Sequence, residues 1–289
     1  MSSVAAVVQE MADALRPTLG DDAIAEAREL LALMHDQPRH WPVVAASQTI
    51  TAAESSAALL AAKRRASGAP IQYAAGRAAF RHLTLDVDER VLIPRPETEL
   101  LVEIVLELTR GERGGIAVDV GTGSGAIALA LATEGRFDQV IATDVSLDAL
   151  AVARANAERY ADRSCARFEL RHGSLLGPVQ ERRLRAVVSN PPYISFGEAA
   201  ALPASVRDWE PSVALFSAAD GMATTEQLVR EATGALDAHG VLALEVDVRR
   251  SHVVADFMRA LDAYDDVQVL ADLTGRDRFV VARKREERK

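Results

Sequence analysis

The stretch Ile116-Ala117-Val118-Asp119-Val120, followed by Gly121-Thr122-Gly123-Ser124-Gly125 and the small-residue run from Ala126 to Ala132, leaves this chain few architectures. A short apolar run that stops at glycines and passes into an alanine-rich periodic segment reads as strand, tight turn and helix, the opening half of a βαβ unit. Glycine tolerates positive φ and lets a ligand approach the backbone, and the helix beyond it presents unpaired N–H groups in its first turn. A second apolar run, Val140-Ile141-Ala142-Thr143, ends in Asp144, where nucleotide-binding units carry the carboxylate that holds a ribose diol. The spacing is G-x-G-x-G. It departs from the G-x-G-x-x-G of dinucleotide enzymes, and no Gly-Lys-Ser/Thr follows to make a triphosphate loop.

A later apolar run, Ala186-Val187-Val188-Ser189, passes directly into Asn190-Pro191-Pro192-Tyr193. Successive prolines remove two backbone donors and fix φ. What remains is a wall of acceptors, the Asn190 side-chain oxygen and a neighbouring carbonyl, suited to a planar NH2 group, with the Tyr193 ring placed to cover an amide or a base. Taken alone, the tetrapeptide is equally well a Pro-Pro turn closing a strand. Its position at a strand's carboxyl end, where open α/β sheets bind ligands, together with the glycine loop and Asp144, favours a site.

With these motifs the chain resembles the HemK/PrmC protein-(glutamine-N5) methyltransferases. The resemblance also takes in Gly68-Ala69-Pro70-Ile71-Gln72-Tyr73, Val91-Leu92-Ile93-Pro94-Arg95-Pro96-Glu97-Thr98-Glu99, Val206-Arg207-Asp208-Trp209-Glu210-Pro211, Leu244-Glu245 and Asp272-Leu273-Thr274-Gly275-Arg276-Asp277-Arg278. Asn-Pro-Pro-Tyr alone is shared with adenine-N6 DNA methyltransferases; Pro-Arg-Pro-Glu-Thr-Glu narrows the match. The resemblance implies a Rossmann-like class I S-adenosylmethionine-dependent methyltransferase fold of α/β class, with a mainly parallel seven-stranded sheet. It implies S-adenosylmethionine as methyl donor and, as acceptor, the glutamine of the Gly-Gly-Gln tripeptide in peptide-chain release factors, a step of translation termination. Asn190, Pro191, Pro192 and Tyr193 are then the catalytic and substrate-binding residues. Gly121, Thr122, Gly123, Ser124, Gly125, Asp144, Leu175 and Asn190 are the donor-binding residues, with Leu92 a further apolar contact. Arg95, Glu97 and Thr98 are expected chiefly to start a helix from Glu97 to Thr109, with shaping of the site's mouth as their alternative role.

The chain departs from the family pattern away from the donor site. Arg81-His82 stands where the family has Tyr-Gly, Phe216-Ser217-Ala218-Ala219 precedes Asp220-Gly221, and Val246-Asp247 and Arg250-Ser251 replace glycine-bearing pairs. These positions leave open a related N-methyltransferase with another protein or a small-molecule amide or amine as acceptor. An adenine-N6 DNA methyltransferase would act on a base flipped from the stack. The net charge of −9 and pI near 5.3 disfavour it, because a duplex footprint needs a basic face. No nucleic-acid partner is expected.

Residues 1–75 carry alanine-rich stretches divided by Pro38, Pro42 and the start signal Thr51-Ala52-Ala53-Glu54, which predicts about three helices in a small domain; the resemblance implies a partner-binding domain that helps hold the release factor, with simple stabilisation of the larger domain as the alternative role. Residues 76–95 alternate as a hairpin connector, and 96–289 form the methyltransferase domain, with Val267–Leu270 and Phe279–Ala282 pairing antiparallel. The lone Cys165 and six scattered histidines offer no zinc site, so no metal is expected. The N-terminus has no signal-peptide pattern and no stretch suits a membrane span, so cytoplasm is the expected location. Arg283 to Lys289 is expected to be a solvated tail.

Overall fold

The computed structural model describes residues 1–111, 113–181 and 183–286, and these form two compact units. The first comprises Met1–Ala79, Thr84–Glu89 and Pro203–Trp209; the second comprises Phe80–Leu83, Arg90–Leu202 and the described residues from Glu210 onward.

In the first unit, the short helix Trp41–Val44 lies between α2 (Ala23–Met34) and α3 (Ala52–Ala66), which follow α1 (Val4–Leu19), and a second short helix, Ile71–Ala75, follows α3. Ser3 caps α1 by accepting from the Ala6 amide, and Val4, Val7, Val8, Met11, Ala12 and Leu15 then fall on one buried stripe, as a 3.6-residue period requires. A reciprocal capping box between Thr51 and Glu54 starts α3, whose buried face is made of Ala58, Ala61 and Ala62; the absence of bulk lets it pack closely on α1. Strands β1 (Arg77–Phe80) and β2 (Leu83–Asp86) pair across Arg81-His82. The segment read as a connector is therefore divided, its turn counted with the second unit and Thr84–Glu89 with the first. Pro203–Trp209, read as part of the domain 96–289, belongs with the helical unit, because Trp209 lies over Gly68.

The second unit is built on a seven-stranded sheet. Its strands are β3 (Ile116–Val120), β4 (Gln139–Asp144), β5 (Arg167–His172), β6 (Leu184–Ser189), β7 (Leu236–Glu245), β8 (Tyr264–Ala271) and β9 (Asp277–Lys284), in the spatial order β8-β9-β7-β6-β3-β4-β5. Neighbours from β7 to β5 are parallel, and β9 runs antiparallel to both β7 and β8. Arg283 and Lys284, expected in a tail, end β9, where Arg283 donates to the carbonyls of His239 and Leu108; Glu287 to Lys289 lie outside the described residues.

Every residue of β6 is buried, and β3 is buried from Ala117 onward, the signature of parallel strands covered on both faces. The covering helices are α4 (Pro96–Leu108), α5 (Ala126–Glu134), α6 (Leu147–Arg159), α7 (Ala223–Ala235) and α8 (Ser251–Ala260). In α5 all residues from Ala126 to Ala132 are buried, since alternating alanines leave a helix narrow enough to be enclosed on every side. The chain steps outward from β3 to β4 and β5, then returns past β3 to β6. That reversal opens a crevice at the carboxyl ends of β3 and β6, the place where such sheets bind ligands.

Candidate active site

A cavity of about 540 Å3 fills this crevice, a size proper to a small-molecule site. Of the residues expected at the site, Gly121, Gly123, Asp144, Leu175, Asn190, Pro191 and Pro192 line it, as does Leu92.

The glycine turn is held by backbone hydrogen bonds to the neighbouring strand. The Gly121 and Thr122 amides both donate to the Thr143 carbonyl at 2.9 Å, which hooks the turn onto β4. Gly121 and Gly123 have φ of +74° and +54°, and a Cβ on either would meet nothing within 4 Å. The space beside them is open, and the left-handed backbone keeps other residues out. Asp119, fully buried beneath the turn, accepts through Oδ2 from the Thr122 hydroxyl at 2.6 Å and from the Ala128 amide at 3.0 Å. Burial pushes its carboxyl up to about 7 against those two hydrogen bonds. Thr122, Ser124 and Gly125 do not line the cavity. Thr122 is spent on Asp119, the Ser124 carbonyl accepts from the Asn156 side chain at 2.9 Å, and Gly125 lets the start of α5 pack against Ala153. These three shape the turn.

Asp144 accepts through Oδ2 from the Gly123 amide and through Oδ1 from the Ser146 amide, both at 2.9 Å. Each carboxylate oxygen keeps lone-pair capacity for a ligand hydroxyl. Leu175, at a φ of +48°, is held by its carbonyl, which accepts from the Thr143 hydroxyl at 3.0 Å.

At the other end of the cavity, the Ser189 hydroxyl donates to the Val120 carbonyl at 2.6 Å and ties β6 to β3 just before Asn190. The Asn190 Nδ2 donates to the Thr98 Oγ1 at 3.2 Å, and that hydroxyl donates to the Glu245 Oε2 at 2.7 Å. The first turn of α4 and the end of β7 thus meet on the asparagine. Glu245 is buried, and burial pushes its carboxyl up to about 7, opposed by Thr98 and Arg278. Thr98 was expected chiefly as a helix-starting residue. Nothing local in the sequence signals its other role, because Glu245 lies 147 positions away. Arg95 at the same helix start pairs with the buried Glu210 at 2.6 Å.

Tyr193 does not line the cavity. Burial, and then the nearby Glu245, push its phenol up to about 12. A Cβ on Gly221, at φ +85°, would collide with the Tyr193 carbonyl oxygen, so this close approach fixes the segment after the prolines. Phe196 and Phe216, both lining the cavity, stack with centroids 5.5 Å apart; Phe216 is one of the positions atypical of the family, and no motif joins it to Phe196. Arg250, another such position, holds the same segment by donating to Glu198 at 3.0 Å, while Asp247 pairs with Arg249 at 2.8 Å.

Residues 96–203 match the family model described as Methyltransferase small domain. A release factor glutamine methyltransferase of Moorella thermoacetica is 44% identical over 78% of this chain and 78% of its own length. Those of Gloeobacter violaceus and Enterococcus faecalis are each 38% identical, over 81% of both chains and over 74% and 75% of the two chains respectively. Among solved structures, a methyltransferase from Pyrococcus furiosus superposes with a TM-score of 0.54 at 22% identity, covering 72% of this chain and 92% of that one. The ribosomal protein L11 methylase of Lactobacillus delbrueckii subsp. bulgaricus gives 0.50 at 20% identity, covering 70% and 84%. The two structures speak to the fold, a methyltransferase fold of α/β class, and the sequence relatives to the family: this chain belongs to the release factor glutamine methyltransferases.

Proposed function

We propose that this enzyme transfers a methyl group from S-adenosylmethionine to the side-chain amide nitrogen of the glutamine in the Gly-Gly-Gln tripeptide of a peptide-chain release factor. The observation that carries the reading is that one cavity is lined at once by the glycine turn, Asp144 and Asn190-Pro191-Pro192. A nucleoside-bearing donor fits these residues. The open backbone at Gly121 and Gly123 accommodates its amino-acid part, the braced carboxylate of Asp144 accepts from a ribose diol, and Leu92 and Leu175 offer apolar contact to the rest. When bound, S-adenosylmethionine supplies an electrophilic methyl carbon on a sulfonium.

The protein's own task follows from the weakness of the nucleophile. An amide lone pair is delocalised into its carbonyl, so attack depends on holding the nitrogen close and in line. Asn190 Oδ1 and the Pro191 carbonyl accept the two hydrogens of the substrate NH2, and both bonds strengthen as positive charge develops on nitrogen. No general base is required, since the departing proton becomes acidic only as the carbon–nitrogen bond forms. Tyr193, Thr122, Ser124 and Gly125 serve this arrangement from outside the cavity.

The helical unit is assigned to holding the release factor. The enzyme is placed in the cytoplasm, where translation termination occurs; among the described residues no helix is long and apolar enough to cross a membrane. Incubation with labelled donor and a purified release factor, beside its glutamine-to-alanine version, tests the reading. Label is expected on the native factor alone, and an unlabelled native factor rejects this acceptor.

A further inference from the structure

We propose that Thr98 and Glu245 are positioning residues that set which end of the Asn190 side chain faces the substrate, and that the ionised carboxylate of Glu245 is what sets it. The inference rests on the reading above and deepens it. An asparagine amide has two ends of similar shape and opposite hydrogen-bonding sense. Only with Oδ1 toward the cavity can Asn190 accept from a substrate NH2; turned over, it would present its own NH2 to the donor hydrogens and repel them.

Neither the motif nor the strand end selects between these orientations. The selection comes from behind. Ionised Glu245 can only accept, so the Thr98 hydroxyl proton is committed to it at 2.7 Å, and the hydroxyl turns lone pairs toward Asn190. The end of the amide that meets a lone pair must be the donor end, and Nδ2 lies 3.2 Å from Thr98 Oγ1. Among the described residues no group donates to Oδ1, which is left to the cavity that Asn190 lines. Polarity therefore passes from Glu245 through Thr98 to the reactive edge of Asn190.

Protonation reverses it. A neutral Glu245 can donate to Thr98, which frees the threonine proton to point at Asn190 and to favour the inverted amide. The charged and titratable groups around Glu245 are Arg95 and Glu97 at the start of α4, Arg278 on β9 and Tyr193 beyond β6. With burial the largest influence, the carboxyl is pushed up to about 7, so the relay changes sense near neutral pH. Turnover is expected to fall as pH drops through about 7, because the ionised form is the competent one.

Asn156 and Asn190 are the only asparagines in the chain. Labelling the full-length protein with 15N-asparagine therefore yields two side-chain amide pairs, with Asn190→Ala assigning them. This readout is independent of any acceptor. The Asn190 pair is expected to shift through a single step near pH 7 while the Asn156 pair, bonded to the Ser124 carbonyl, stays still. The step should vanish in both Thr98→Val and Glu245→Gln. In turnover, Thr98→Val should lose about tenfold or more in kcat with unchanged donor affinity, as expected for lost orientation. Thr98→Ser, which restores the hydroxyl, should recover most of that loss, and Glu245→Gln should abolish the acid limb. A wild-type Asn190 pair that does not titrate, or equal impairment of the valine and serine variants, overturns the inference. Failure of the wild-type enzyme to methylate a release factor overturns the acceptor assignment and leaves the spectroscopic result standing.

Discussion

At the residue scale, the one acid among the described residues lining the cavity, Asp144, is placed by backbone amides. The Gly123 amide donates to its Oδ2 and the Ser146 amide to its Oδ1. Asp144→Ala removes an anionic acceptor and also releases Gly123. It is expected to weaken S-adenosylmethionine binding by about 1.5–3 kcal/mol, the range for a hydrogen bond to a charged group, read by titration calorimetry; an unchanged affinity would remove Asp144 from the site. Much at this scale was legible in the sequence. Residue types at strand ends single out the glycine turn, Asp144 and Asn190, and the structure brings Gly121, Gly123, Asp144 and Asn190 around one cavity. Thr98 and Glu245 were not singled out this way, because a hydrogen bond between distant strand and helix leaves no mark in spacing. Tyr193 was legible as an aromatic neighbour, but its absence from the cavity lining was not.

At the element scale, the turn at Arg81-His82 and the segment after the prolines illustrate how atypical residues are absorbed. Arg81 takes a φ of +53° and donates to Glu134 at 2.9 and 2.7 Å, to Glu103 at 2.7 Å and to the Glu99 carbonyl at 3.0 Å. It straps the hairpin turn to α4 and α5. Arg81→Ala should cost about 1–3 kcal/mol of stability through the unsatisfied partners, seen as a lower denaturation midpoint with donor affinity retained. A change in acceptor preference at unchanged stability would mean that Arg81 reads the substrate. Gly221→Ala makes the opposite test: a Cβ there must push Tyr193 away, so kcat should fall at least about tenfold while donor binding persists, by displacement of an oriented group. The antiparallel pair at the sheet edge and the strand–turn–helix order were readable from periodicity. The short helices and the assignment of Pro203–Trp209 were not, because Trp209 over Gly68 is a contact between residues far apart in sequence.

At the scale of the whole molecule, acids of opposite tendency set the stability profile. Burial raises Asp119 and Glu245 to about 7, so the stability they contribute is fully present below the ordinary carboxylate range and is lost as pH rises through about 7. Glu181, beside Arg171, and Glu198, held by Ser195 and Arg250, are lowered to about 2, so their contribution is present above about 4.5 and is lost as pH falls toward 2. The melting temperature is therefore expected to be higher near pH 5.5 than near pH 8, and to drop below about pH 4. Calorimetric scans across that range, with Glu245→Gln flattening part of the upper slope, check it. Stability then favours mild acid while the ionised Glu245 relay favours pH above 7, so the two profiles should diverge. The proposed function hangs on the asparagine just after β6, bonded to Thr98 and lining the same cavity as the glycine turn. The most direct test is single-turnover methylation of a release factor by Asn190→Ala, measured beside donor affinity. The expected result is a loss of at least about 100-fold in rate with donor binding within about threefold of the parent, whereas near-normal turnover would contradict the role given to Asn190 and the mechanism built on it.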